Sequence, residues 1–333
     1  MNVRRILGTI GAIGSVFLAA LAGATPVTAA APAGVLLTRY EPVTRFDPQE
    51  SFRPTTVDSF IAGSNLEQLG TTGSWTVTDP SPTPEDLPTT GAGSVRLNQR
   101  TCSPSMSLGG LSCYAPAWKE AGAPPAVYGR VARERNRIVL QYWYFYYDDV
   151  YSYTYPPLDF IWQAHEGDWE VVNVVLSSSG QPLQSAYSEH CLGTRRSWTA
   201  TPRLAGTHPI VHVAIGSHAN YYSSGIHQIN AKCIPAAAVA ILKKYALPLP
   251  FDFSFNGGAV GGPAVARGLV IPVVQVTAQS PSWIQFPGYW GESQYFHAPP
   301  PIGSVPFGNS PVGPAFQSTW KNPLRAIASW PSG

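Results

Sequence analysis

The chain has 333 residues, and glycine (31) and proline (33) make up almost a fifth of them, whereas charged residues reach only 12%. Helical bundles, coiled coils and disordered tails need more charge than this, and an aromatic content of 12% is enough for a real core. Lysine and arginine exceed aspartate and glutamate by only 21 to 19 and form no basic cluster, which argues against nucleic acid as a partner.

The N-terminus has the pattern of a secretory signal. Arg4 and Arg5 precede an apolar run from Ile6 to about Ala22, and the small-residue pattern Val27-Thr28-Ala29 follows. This run is too short and too rich in glycine and alanine for a membrane anchor. We therefore predict a signal peptide over 1–29 and a secreted, extracellular single domain over 30–333, without a transmembrane anchor and monomeric. Twin-arginine export is the alternative to general secretion.

Four cysteines are spread along the predicted mature chain. An even number in an oxidising compartment predicts two disulfides, for which three pairings are open. We favour the pairing of sequence neighbours, because it closes the smaller loops. A structural zinc site is the rival interpretation, and it lacks a close Cys-x-x-Cys pair. The favoured pairs are Cys102–Cys113 and Cys191–Cys233.

The first third of the chain offers core candidates and a loop. The stretch of about 71–95 is rich in threonine, proline and glycine, which predicts a surface loop. Aromatic and β-branched residues before it are expected to be buried: Tyr40, Phe46, Phe52, Val57 and Phe60.

The rest of the chain predicts a mainly β fold. Short apolar runs are separated by turn residues with little helix between them, which favours an antiparallel β-sandwich with long loops and one or two short helices over a parallel α/β sheet. A helix is expected from Pro235 to about Tyr245. The aromatic stretch from about Trp283 is expected to wrap over the sandwich. The predicted strands are Arg137–Tyr147, Asp168–Leu176, Gln184–Ser188, Pro209–Ile215 and Leu269–Thr277. The first of them is apolar on both faces, so it should be covered on both sides of the sheet.

The motif His165-Glu166-Gly167-Asp168-Trp169-Glu170 carries the strongest functional signal. Side chains alternate along a strand, so Asp168 and Glu170 should share an accessible rim while Trp169 enters the core. Two carboxylates at this spacing repel each other unless a cation lies between them. Oxygen ligands suit Ca²⁺ or Mg²⁺ better than Zn²⁺. The sequence thus predicts a divalent-cation site.

Three further residues could reach this site. His165 is expected just before the strand, Asp148 at the end of the aromatic strand, and His218 in the Gly216–Asn220 segment after another strand. Asp149 is the alternative to Asp148, since one of the two should point outward. Asp168 and Asp148 are expected to be direct ligands, with the other three holding waters or orienting ligands. The plainer alternative is a hydrogen-bonded acidic cluster without a metal. The predicted set is Asp148, His165, Asp168, Glu170 and His218.

Several phrases of the sequence resemble the vacuolar protein sorting-associated protein 62 family. They are Arg39-Tyr40-Glu41-Pro42-Val43, Phe52-Arg53-Pro54-Thr55-Thr56-Val57, Tyr142-Trp143-Tyr144-Phe145, His165–Glu170, Gly216-Ser217-His218-Ala219-Asn220-Tyr221 and Ser310-Pro311-Val312-Gly313-Pro314. The resemblance covers most of the predicted mature chain, and it implies no established activity.

A second, local resemblance bears on mechanism. Ala164 to Glu170 is similar to the Gly-His-Arg-His-Asp-Trp-Glu heptapeptide of the necrosis- and ethylene-inducing-like proteins. The resemblance implies a secreted β-sandwich cytolysin that binds a divalent cation and sphingolipid sugar headgroups. It also matches an aromatic strand ending in an acidic ligand, here Trp143-Tyr144-Phe145 and Asp148. Gly167 replaces the second histidine of the heptapeptide, and the spacing from Asp148 to Asp168 is longer.

These observations predict metal-dependent recognition of a polar headgroup or glycan, with membrane damage as a consequence. The alternative is a metal-assisted hydrolase of phosphoesters or glycosides, in which Glu170 or His165 activates water. A third hypothesis is a structural or cell-surface protein. No Gly-x-Ser-x-Gly or His-Glu-x-x-His motif is present, so no catalytic residue is assigned.

Overall fold

The computed structural model describes residues 31–100, 122–155, 158–234, 236–244, 246, 248–292, 294–298, 303–308 and 310–333. The predicted signal peptide and the predicted Cys102–Cys113 disulfide lie outside these residues. The other predicted disulfide, Cys191–Cys233, is formed. Across the described part of the chain, no helix has the length and apolar character needed to cross a membrane.

Strands dominate the architecture, as predicted. The α-helices among the described residues are α1 (Ala33–Arg39), α2 (Asp58–Gly63), α3 (Ala236–Lys244), α4 (Ser318–Lys321) and α5 (Pro323–Ser329). The strands are β1 (Val43–Phe46), β2 (Ser64–Leu69), β3 (Trp75–Asp79), β4 (Val95–Gln99), β5 (Val127–Glu134), β6 (Arg137–Tyr155), β7 (Leu158–Ser177), β8 (Pro182–Glu189), β9 (Leu192–Ser197), β10 (Arg203–Leu204), β11 (His208–Val213), β12 (Asn220–Tyr221), β13 (Ile226–Gln228), β14 (Phe251–Phe253), β15 (Val260–Gly262), β16 (Leu269–Val270), β17 (Val273–Gln275), β18 (Gln294–Ala298) and β19 (Gly303–Gly308).

Two sheets form the centre of the molecule. The central sheet has the order β17-β5-β6-β7-β8-β9 and is antiparallel except where β17 joins β5. The second sheet has the order β10-β11-β1-β15-β16, and β12 pairs with β11. Two of its pairs, β1 with β11 and β15 with β16, are parallel, so this sheet is mixed. The candidate site lies between the two sheets.

The central sheet is covered on both faces, which confirms the prediction for its aromatic strand. Every side chain from Tyr142 to Tyr147 is at most 3% exposed. Towards the second sheet, Tyr146 stacks on the His218 ring with centroids 3.8 Å apart. On the opposite face, Phe145 and Trp169 pack against Trp290. The five core candidates before the loop are also buried, and the helix expected near Pro235 is α3.

The predicted C-terminal wrap covers the outer face of the central sheet. Trp283, Trp290 and Trp320 are all buried, and Trp320 packs against Trp143 from the central sheet. The aromatic residues of this stretch therefore complete the core.

Three element predictions need correction. Leu269–Thr277 is two short strands, β16 and β17, in different sheets, since Pro272 between them has no N–H to continue a ladder. The stretch 71–95 contains β3, paired with β2. The β6–β7 pairing continues past the aromatic run, so Asp148 and Asp149 do not end a strand and His165 lies inside β7.

Candidate functional site: a buried acidic cluster

Gly167 sets which side chains of the motif face the second sheet. Its φ of +59° lies in the left-handed region and breaks the strand alternation. His165 and Asp168, three residues apart, therefore face the same side, whereas Glu166 faces the Trp290 side, where Glu292 N–H donates to its carboxylate at 3.0 Å. A Cβ at position 167 would overlap the carbonyl oxygen of Trp290, so the site requires glycine.

Two histidines contact three buried acids. His218 Nδ1 lies 3.0 Å from Asp168 Oδ2, and its Nε2 lies 3.5 Å from Glu50 Oε2. His165 Nε2 lies 3.4 Å from Asp149 Oδ2. His218 comes from the turn between β11 and β12, so the sandwich itself brings it to β7, as the sequence predicted. Glu50 was not predicted, because nothing in its local sequence relates it to the motif.

Glu170 is held by neighbouring elements. Its Oε2 accepts hydrogen bonds from the Ser188 hydroxyl on β8 and from Asn220 Nδ2 on β12, the latter at 3.3 Å. Glu170 is 4% exposed and Asp168 6%. The predicted accessible rim is therefore wrong: Ser188 and Asn220 contact Glu170, His218 contacts Asp168, and both carboxylates lie inside the sandwich.

Asp252 forms a second centre beside the cluster that the sequence did not reveal. It is fully buried on β14 and accepts hydrogen bonds from His190 Nε2 at 2.7 Å, from Ser217 Oγ at 2.7 Å and from the Tyr221 hydroxyl. Burial alone would lower the pKa of His190, but Asp252, followed by Asp149 and Asp168, outweighs it and raises this pKa to about 9. The scarcity of histidine, seven in the chain, was the only available signal.

Asp148 and Asp149 take different positions. Asp149 pairs with His165 across the two strands, whereas Asp148 pairs with Glu166. Directly opposite side chains of an antiparallel pair share a face, so Asp148 belongs with Glu166. The expectation that one of the two aspartates points outward is wrong, since both are at most 3% exposed. The structure thus groups Asp149 with His165, Asp168, Glu170 and His218, and sets Asp148 beside this cluster.

Burial and like charges dominate the electrostatics of the cluster. Burial, and then the nearby Asp168, raise the pKa of Glu170 well above its ordinary range. Burial also raises the pKa of Asp149, although His165 counteracts it. Burial alone would lower the pKa of His218, but Glu50 and Asp168 outweigh it and raise this pKa to about 10.

Negative charge exceeds positive charge in this interior. The carboxylates of Glu50, Asp149, Asp168, Glu170 and Asp252 face the imidazoles of His165, His190 and His218. Two negative charges remain if all ionise, and Arg53, which donates to the Glu50 carbonyl, offsets at most one. Within the described residues, however, no three His, Cys, Asp or Glu side chains form a ready metal site. A bound cation would therefore have to draw the carboxylates together.

No protein-family model matches the sequence, and no curated protein does, so the resemblance to the vacuolar protein sorting-associated protein 62 family stays a prediction. The structural neighbours are necrosis- and ethylene-inducing toxin-fold proteins at low identity. One of them, a structure described as a toxin fold for microbial attack and plant defense, is 14% identical with TM-score 0.40. The match covers 91% of this chain and 96% of that chain. NLPPya in complex with mannosamine is 13% identical, with TM-score 0.38, over 90% of this chain and 92% of that chain.

Proposed function

We propose that this protein is a secreted, divalent-cation-binding β-sandwich protein that recognises a polar headgroup or a glycan. The observation that carries the proposal is the surplus of buried carboxylate in and around the cluster, where five carboxylates face three imidazoles. Uncompensated charge inside a protein is costly, and a hard dication removes that cost.

The free carboxylate oxygens fit such an ion. Asp149 Oδ1 is buried without a hydrogen-bond partner among the described residues. Asp168 and Glu170 each use only Oδ2 or Oε2 in the contacts above, which leaves Oδ1 and Oε1 for a cation. Oxygen ligands of this kind suit Ca²⁺ or Mg²⁺. When bound, the ion would supply coordination positions for hydroxyl or phosphate oxygens of a ligand.

The surrounding residues have orienting roles in this proposal. His165 and His218 fix Asp149 and Asp168, whereas Ser188 and Asn220 fix Glu170. This assignment uses Asp149, the sequence alternative to Asp148, because Asp149 shares the face of His165. The Cys191–Cys233 disulfide supports secretion, since disulfides persist in oxidising compartments.

Thermal unfolding with and without cation tests the metal site. Ca²⁺ or Mg²⁺ at a hundredfold excess over its dissociation constant should stabilise the chelator-treated protein by about 2.7 kcal/mol. Asp168→Asn should remove this response while keeping the side-chain shape. The matched control is Asp58→Asn, an exposed aspartate outside the cluster, which should respond like the wild type. A melt that no divalent cation changes would leave a hydrogen-bonded acidic cluster and contradict the proposal.

A second measurement addresses the ligand. Glycan-array and vesicle binding should require the cation and be lost in chelator and in Asp168→Asn. Vesicle leakage under the same conditions would add membrane damage to recognition. If the protein hydrolyses phosphoesters or glycosides in the presence of the cation and does not stay bound to the glycan or vesicle, the hydrolase alternative is favoured.

A further inference from the structure

A cavity of about 460 Å³ lies away from the acidic cluster, between β5, β17 and the start of the C-terminal helices. None of its lining residues belongs to the cluster. Three of them are cationic and one is acidic: Arg130, Arg133, Lys321 and Glu134.

Arg130 is held in a fixed orientation at this cavity. Its Nη1 donates to Gln141 Oε1 at 2.7 Å and to the Trp320 carbonyl at 2.8 Å. Its guanidinium carbon lies 4.0 Å from the centre of the Trp320 ring. Nη1 makes both of these hydrogen bonds. Nε and Nη2 make none to the described part of the chain. A planar fork of this kind matches two oxygens of an oxyanion.

The charge of Arg130 has no counter-ion among the described residues. No described carboxylate lies within ion-pair distance of it, and its partial burial lowers its pKa to about 10. Glu134, the acidic residue of the lining, contacts other groups: its Oε2 accepts from Leu324 N–H at 3.1 Å, and its Oε1 lies 3.9 Å from Arg135 Nε. Its single negative charge leaves the three cationic side chains in excess. Arg133 and Lys321 are exposed and add two positive charges. The cavity is therefore cationic, with an oriented donor at its wall.

We propose that this cavity binds a small oxyanion, a phosphate or sulfate group, through the Nε–Nη2 edge of Arg130. Arg133 and Lys321 supply the surrounding positive potential. The site is separate from the proposed cation site and does not depend on it. A soluble phosphate monoester and the phosphate of a lipid headgroup share this chemistry, so the experiment must distinguish them.

Calorimetric titration of metal-free, desalted protein with inorganic phosphate, sulfate and chloride at constant ionic strength tests the proposal. Phosphate or sulfate should bind at millimolar or tighter concentrations and chloride should not. Arg130→Gln should weaken binding at least tenfold, and Arg130→Lys, which keeps the charge and loses the fork, should be intermediate. The matched control is Arg196→Gln, since Arg196 is also half-buried over an aromatic ring, that of Tyr222, but lies outside this cavity.

Two further measurements are needed. One identifies the source of the phosphate, and the other replaces Arg130→Gln if that variant does not fold. Cosedimentation with phosphatidylcholine vesicles, with and without phosphatidic acid, separates a headgroup from a free monoester such as glycerol 3-phosphate. If Arg130→Gln does not fold, the exposed double variant Arg133→Gln/Lys321→Gln should still lower affinity severalfold. Absence of binding, or binding that neither Arg130→Gln nor the double variant weakens, would overturn the proposal.

Discussion

Glu41 is a buried carboxyl group outside the candidate site. Its side chain is 6% exposed, and its Oε1 has no hydrogen-bond partner among the described residues. Burial raises its pKa from 4.5 to about 7. The unfolded chain therefore loses this proton at a lower pH than the folded protein does. Ionisation of Glu41 thus lowers the free energy of unfolding as the pH rises from about 4.5 to 7.

Glu41→Gln should remove this pH dependence, since an amide cannot ionise. We expect the variant to exceed the wild type by about 2–3 kcal/mol in free energy of unfolding at pH 8 and to match it near pH 4. Urea unfolding across this pH range measures the difference. Glu85→Gln, an exposed control, should follow the wild type at every pH. A constant offset between Glu41→Gln and wild type would show that burial does not perturb this carboxyl group.

At the scale of a single strand, Gly167 in β7 determines which side chains of the motif face the second sheet. The period of two correctly predicted that Trp169 and the pair of Asp168 and Glu170 face opposite sides, because it depends only on local backbone geometry. The position of His165 depends on the left-handed conformation at Gly167, which periodicity does not show. The burial of the acids could not be predicted either, since His218 and Asn220, which contact Asp168 and Glu170, are 50 residues away in sequence.

Gly167→Ala tests this dependence. The new methyl group would meet the Trp290 carbonyl and also force a left-handed alanine, so we expect a loss of several kcal/mol or failure to fold. The control is Gly180→Ala, where φ is also positive, +83°, but a Cβ would meet open space. That variant should lose only about 1 kcal/mol. Chemical denaturation of both proteins gives the comparison, and equal losses would show that the contact with Trp290 does not matter.

At the scale of the whole molecule, the two faces of the central sheet have different interiors. The outer face packs aromatic rings beside the two buried acids Asp148 and Glu166, whereas the inner face near β7 contains the acidic cluster and its histidines. The sequence predicted that the aromatic strand would be covered on both sides, because an entirely apolar run has no solvent face. It could not predict that Glu50 and Asp252 lie beside the acidic cluster, since they come from segments that only the folded sandwich brings together.

A pair of neighbouring substitutions in β7 compares these two interiors. Trp169 packs against Phe145, Trp283 and Trp290, with ring centroids 4.9 to 5.6 Å away. Its replacement by alanine should cost about 3–5 kcal/mol in free energy of unfolding, because the aromatic layer cannot close over the space.

Glu170→Gln should behave differently in metal-free protein. Glutamine keeps the shape and an oxygen that accepts from Ser188, and burial already favours an uncharged group at this position. We expect a change of less than about 1 kcal/mol, together with a smaller stabilisation by Ca²⁺ or Mg²⁺. Urea unfolding of both variants, with and without cation, measures each part. If Glu170→Gln destabilises metal-free protein as much as Trp169→Ala does, the Glu170 carboxylate is a structural group, and the cation site loses one of its three proposed oxygen ligands.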